Sequence, residues 1–298
     1  MCIGAARRHA LSHLFLFTTI VLVFTLCVPV LSRAQLSEVD EAGLSQTYAK
    51  SGISYVIGDS QYRITRDSFR ISDTDHDPYN WIELNNIIVD DGSGNYFSMD
   101  TPENLDDVNR IDVGTNDLGQ TSIFMNLSLN VEPRTYTVGS FVFCGQDLGS
   151  LRLESFRTAP SNMLTISGRA DGTSGINLEY QTEIMIDAAK FMYNTTPEEL
   201  RLGGIRLSRY AFGDPSDPST WTFSGKFKVG DLENSNPATI DVGTADNGDG
   251  TTTTSVYYNL PMKGSIRVQD VNFGGNNFGP CAIDGINVHR LGIQIPGN

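Results

Sequence analysis

The sequence predicts an all-β protein, an antiparallel sandwich or flattened β-roll made of two related halves, with a signal helix and a short N-terminal helix ahead of it. Three observations predict this. Apolar and polar residues alternate with period two over long stretches. Turn residues punctuate those stretches, with 29 Gly in 298 residues. Short motifs recur in the same order along the chain.

The alternation is clear in three places. Ile123, Met125, Leu127, Leu129 and Val131 alternate with Phe124, Asn126, Ser128 and Asn130, which are mostly polar. Ile176, Leu178, Tyr180, Thr182, Ile184 and Ile186 alternate with Asn177, Glu179, Gln181, Glu183 and Met185. Trp221, Phe223, Gly225, Phe227 and Val229 alternate with Thr222, Ser224, Lys226 and Lys228. Period two places one set on a buried face and the other in water, as in antiparallel sheets with one wet side. Helix signals are few. Residues 37–50 suit a short amphipathic helix. Thr196-Pro197-Glu198-Glu199 has an N-cap, a Pro at the first helical position and acids in the first turn.

The recurring motifs divide the chain. Arg110-Ile111-Asp112-Val113-Gly114-Thr115 reappears as Thr239-Ile240-Asp241-Val242-Gly243-Thr244. Gly52-Ile53-Ser54 and Gly175-Ile176-Asn177 open the two halves. Both tryptophans, Trp81 and Trp221, sit in Asp-Pro-x-x-Trp. Cys144-Gly145-Gln146-Asp147 matches Cys281-Ala282-Ile283-Asp284. The expected division is a signal peptide at 1–34, a short segment at 35–50, a first β repeat at 51–170 and a second at 171–298. Units this long are not those of a solenoid array.

Residues 1–34 read as a secretory signal. Arg7 and Arg8 form a positive start, residues 14–31 carry no charge, and Ser32-Arg33-Ala34 places small residues before a cleavage site. The expected location is beyond the inner membrane: periplasm, outer-membrane surface or extracellular space. No integral membrane domain is expected in the mature chain. Cys2 and Cys27 leave with the signal. Cys144 and Cys281 remain, as one disulfide or as a core position duplicated with its surroundings; a disulfide would need Cα atoms within about 7 Å.

The chain has 21 Lys+Arg against 35 Asp+Glu, a net charge of -14. Phosphate backbones need clustered cations, so nucleic acid is not an expected partner. Solubility accounts for the acids in general. One cluster is more specific. Asp73, Asp75 and Asp77 offer carboxylates at alternate positions, as calcium loops do. An EF-hand would next need Gly at 78 and Glu at 84, where this chain has Pro78 and Leu84. Calcium is therefore the one cofactor with candidate ligands, and an acidic solvated loop is the plainer reading. The second half keeps Asp214 and Asp217 near Trp221. Each Trp is read as a plug at the end of a β-core, or as a sugar-stacking ring beside acids.

Catalytic patterns are absent from the sequence. The mature region holds His76 and His289, neither near Gly-x-Ser-x-Gly, and no His-Glu-x-x-His occurs. No catalytic residue is assigned, and no enzyme is expected.

The segment Leu36-Ser37-Glu38-Val39-Asp40-Glu41-Ala42-Gly43-Leu44-Ser45, the pair Gly52-Ile53 and the closing stretch from Phe278 to Leu291 together resemble a group of exported proteobacterial β-proteins, some described as pilus-system proteins of the FilA type. The chain departs from the commoner Gly-Gln-x-Gly-Ile form, with Tyr48-Ala49-Lys50-Ser51 ahead of Gly52-Ile53. The resemblance implies export, β-structure and association with pilus or surface structures, and it transfers no site residue. The expected function is a non-enzymatic structural or surface protein with envelope or pilus partners and a capacity for self-association. The alternative is a carbohydrate- or calcium-binding β-module.

Overall fold

Short alternating stretches separated by Gly, Asn and Asp turns fold as strands throughout. The computed structural model describes residues 52–58, 60–72, 81–101, 108–128, 130–169, 175–195, 198–246 and 251–296. In the first half the strands are β1 Gly52–Tyr55, β2 Ser60–Tyr62, β3 Ile64–Ser72, β4 Trp81–Asp90, β5 Phe97–Asp100, β6 Asn109–Thr115, β7 Thr121–Ser128, β8 Asn130–Val131, β9 Arg134–Phe143, β10 Gln146–Thr158 and β11 Ser161–Gly168. In the second they are β12 Gly175–Thr182, β13 Ile184–Tyr193, β14 Glu199–Ser208, β15 Tyr210–Phe212, β16 Thr222–Ser224, β17 Phe227–Val229, β18 Ala238–Asp246, β19 Thr252–Asn259, β20 Met262–Val268, β21 Asp270–Phe273, β22 Asn276–Asn277, β23 Cys281–Val288 and β24 Gly292–Pro296.

Backbone hydrogen bonds join nineteen strands into one antiparallel network. Two long runs make it up. One is β1-β6-β7-β11-β12-β18-β19-β24. The other is β3-β4-β9-β10-β13-β14-β20-β23, with β21 extending β20 along β14. The chain passes from one run to the other after β1, β4, β7, β10, β12, β14, β19 and β23, so each half feeds both. This is a sandwich-like all-β fold, as the sequence predicts. The apolar core is drawn mainly from the second run: Val89, Phe141, Leu153, Phe156, Ile186, Ala188, Ile205 and Val268 are buried.

The halves share a register. Gly52 pairs with Asp112, and Gly175 pairs with Asp241, the matching residue of the repeated motif. A Cβ on Gly114 would meet the Phe124 ring at 3.3 Å, and one on Gly243 would meet the Tyr257 ring at the same 3.3 Å. In the second run, β3–β4 and β13–β14 skip pairing at one position each. That position holds Asn86 (φ 53) in β4 and Gly204 (φ 59) in β14, both left-handed. β1 thus corresponds to the start of β12, β3 to β13, β4 to β14, β6 to β18, β7 to β19, β9 to β20 with β21, β10 to β23 and β11 to β24.

The register corrects four expectations. Trp81 opens β4, whose counterpart β14 has Glu199 at that place, while Trp221 belongs to the β15–β16 hairpin. Asp-Pro fixes a local turn wherever it occurs, so this motif recurs without structural equivalence. Cys144 (φ 49) and Gly145 (φ 80) form the tight turn between β9 and β10. Its counterpart is Gly274-Gly275 (φ 55 and 80), whereas Cys281 corresponds to Leu151. The two cysteines are not joined by a disulfide. In β7 and β12 the buried side is the polar one: Ser122, Ser128, Asn177 and Glu179 are buried, and Ile123 is exposed. Hydrogen bonds make this tolerable for Asn177 and Glu179. Asn177 Nδ2 donates to Gln120 Oε1 at 3.0 Å, and Glu179 accepts from Leu232 N at 2.7 Å. Finally, Glu199 starts a strand rather than continuing a helix from Thr196, because β14 is paired along its length on both sides. The described helix is a single 3-10 turn at Pro218–Thr220. Residues 1–51, which hold the expected signal and N-terminal helices, lie outside the described residues.

Candidate functional site

The proposed calcium ligands Asp73, Asp75 and Asp77, together with His76, lie outside the described residues. Their second-half partners are described, and they act locally. Asp214 Oδ1 accepts from Ser216 N (2.9 Å) and Ser216 Oγ (2.7 Å). Asp217 Oδ1 accepts from Ser219 N (3.0 Å) and Ser219 Oγ (2.7 Å), capping the 3-10 turn. The Ser216 hydrogen bonds, with a smaller contribution from the Arg267 charge, hold the Asp214 carboxyl below its ordinary range. Each carboxylate closes its own turn instead of converging on a cation. Among the described residues no group of three His, Cys, Asp or Glu side chains is placed to hold a metal.

Both tryptophans carry an arginine on the ring face. The Arg70 guanidinium lies 4.1 Å from the Trp81 centroid, and that of Arg267 lies 5.1 Å from Trp221. Such stacking stabilises a ring that is only partly covered. Trp221 Nε1 also donates to Asp214 O at 2.7 Å. The ring is thereby tied to its own loop.

Arg267 is the residue that sequence reading missed. It lies on β20 and is 1 % exposed. Its guanidinium binds Asp284 through Nε (3.0 Å) and Nη2 (2.7 Å), and donates to the carbonyls of Phe212 (3.0 Å) and Gly213 (3.3 Å). A buried guanidinium is tolerable only when paired and saturated like this. It pins the β15–β16 hairpin to the sheet. Nothing in the local sequence marks it, since its partners lie 17 and about 55 positions away.

A second buried charge sits where β17 meets β20. Asp231 is 2 % exposed and accepts from Lys263 Nζ and from Asn234 Nδ2 (2.8 Å), with Lys228 Nζ at 3.9 Å. Burial pushes its carboxyl upward. The Lys263 and Asn234 hydrogen bonds and the two ammonium charges outweigh that, and it ends below the usual carboxylate range.

An open polar cleft of about 800 Å³ lies over β12, β18, β19 and β24. Its lining includes Asn177, Asp241, Tyr257, Tyr258 and Arg290, with Arg169 Nη1 3.1 Å from Asp241 Oδ2. His289 is not in it. Asn287 Nδ2 lies 3.4 Å from His289 Nε2.

The third feature is the ends of the two runs. Among the described strands, β1 and β24 end the first run, and β3 and β23 end the second, each with one long edge unpaired. Phe69 on β3, Ile283 on β23 and Ile53 on β1 are 46 %, 54 % and 66 % exposed. No helix of the described residues is long and apolar enough to cross a membrane. No family model, curated protein or solved structure matches this chain.

Proposed function

We propose that this chain is a non-enzymatic structural protein, exported through the signal read at residues 1–34 and working in a pilus or another cell-envelope assembly. One observation carries the reading: two repeats lie side by side in continuous antiparallel sheets, and among the described strands both ends of those sheets remain open. Open edges are templates for further strands. Asp214, Asp217, Asp231 and Asp284 fit the same reading, because they close turns or pair with Arg and Lys. The experiment is capture from cross-linked cell envelopes with residues 35–298, with and without calcium. Recovery of pilus or outer-membrane components supports an assembly role, and calcium dependence would give Asp73, Asp75 and Asp77 a part in it. A blank in both conditions defeats it.

The polar cleft favours a second reading, a carbohydrate-binding module. Tyr257 and Tyr258 beside Asn177, Asp241 and Arg290 supply rings and hydrogen-bonding groups suited to hydroxyls. Absence of binding on a glycan array and no heat with calcium would remove this alternative.

A further inference from the structure

The two repeats are joined at a seam. In the first run β11 pairs with β12, Leu164 opposite Tyr180 and Ile166 opposite Leu178. In the second run β10 pairs with β13, Leu151 opposite Phe191, Arg152 opposite Lys190 and Leu153 opposite Ala189. Ion pairs cross it: Lys190 Nζ to Glu154 at 2.8 Å and Arg157 to Asp187 at 2.8 Å. The last strands of repeat one thus bind the first strands of repeat two.

The same strands exist at the outer ends. β23 and β24 correspond to β10 and β11, and β3 and β1 to β13 and the start of β12. The molecule therefore presents, at opposite ends, both halves of the seam it already makes once internally. We propose that a second copy of this chain docks there head to tail, with β23 and β24 of one copy pairing with β3 and β1 of the next. This deepens the assembly reading above, and rests on it for its biological setting only.

Four details favour this occupant. Leu153 is 5 % exposed within the seam, while its counterpart Ile283 stands out at an end; Phe69, the counterpart of its partner Ala189, does so at the other. The signs of charge repeat as well, since Glu154 and Lys190 become Asp284 and Arg70, each of which also keeps its contact within the copy, to Arg267 and to Trp81. Asp187 recurs as Asp67, facing Asn287 in place of Arg157. A bulge at an edge usually discourages pairing. Here Gly285 (φ 67) repeats Ser155 (φ 52), and the bulge at Ser155 accommodates β13 within the seam. The bulge is then part of the fit. Pro296 stands where β11 has Ser167 and cannot donate a backbone hydrogen bond, so β23 on β3 fixes the register. The expected partners are Cys281 with Ile71, Ala282 with Arg70, Ile283 with Phe69, and Val288 with Ile64.

An interface between unlike ends makes a ring or a filament, and it has a diagnostic. Residues 35–298 should grow in mass with concentration in sedimentation. Phe69→Lys and Ile283→Lys, both at exposed positions, should each be monomeric with unchanged circular dichroism. Mixed in equal amounts they should form a dimer that grows no further, because each supplies the end the other lacks. For register, Ile71→Cys in a Cys144→Ser background should cross-link to Cys281 of the next copy under mild oxidation and give a ladder of covalent oligomers; Arg70→Cys should not. A parent protein that stays monomeric at its highest soluble concentration overturns the proposal, as does continued association of either Lys variant or a mixture that stays monomeric. If monomers still capture envelope components, the assembly reading survives and only the self-docking fails.

Discussion

Two charged residues bear most on stability, and both are buried beside a partner. Asp231 and Lys263 form an ion pair that closes β17 on β20. Lys263→Met would leave a carboxylate buried with only the Asn234 amide and the more distant Lys228 beside it, at a cost of about 3–5 kcal/mol in urea unfolding. The pH dependence follows from the lowered carboxyl of Asp231. An unfolded Asp titrates near about 3.9. Above that value the contribution of Asp231 is complete, and it is lost as pH falls through the lower folded value. Asp231→Asn should therefore flatten the acid limb of the stability curve. A limb as steep as that of the parent would show that other carboxylates control it. Arg267 is the second case. Its five-donor fork fits one carboxylate and two carbonyls at once, and no ammonium group has that shape.

At the scale of elements, the β15–β16 hairpin has, among the described strands, no counterpart in the first half and no pairing except with itself. Arg267 is its main tether. Arg267→Met should free it locally, seen as new proteolytic cleavage within residues 209–226 and a shift in Trp221 emission, with the sheet signal retained. Global unfolding instead would mean the hairpin is integral to the core. The left-handed position in β4 gives a second element-scale test. Asn tolerates that conformation and Gly accepts it freely. Asn86→Gly should be nearly neutral, while Asn86→Val should cost about 1–2 kcal/mol from backbone strain. Equal stability of the two variants would deny that the left-handed position shared by β4 and β14 constrains the residue there.

At the scale of the whole molecule, the repeats are joined by two strand pairs, one in each run. A seam of this kind links their unfolding. Equilibrium denaturation should give one transition, with tryptophan fluorescence and far-UV circular dichroism coincident. Two separate transitions would mean that each repeat holds its own core. The polar face of β7, β11 and β12 lies inward because a loop covers it. The loop at 116–120 folds over that face, and Asn116, Gln120, Ser167 and Asn177 saturate one another there.

Strand content, antiparallel order and the relation between halves are set by local chemistry: period-two alternation, turn residues, and the repeated Ile-Asp-Val-Gly-Thr motif paired against Gly-Ile. These were legible because each depends on neighbours within a few residues. Other features were not. The face that each strand buries depends on what folds over it, so apolar alternation alone misplaced the interior of β7 and β12. The Trp and Cys motifs were misaligned because a four-residue match carries no register, whereas a hydrogen-bonded ladder does. Arg267 owes its role to partners brought from distant strands. The sequence by itself determined that the chain forms strands in two related sets. Only the tertiary structure decided how those sets join and which edges of the described strands stay open, because edge pairing is a long-range choice that no local pattern encodes.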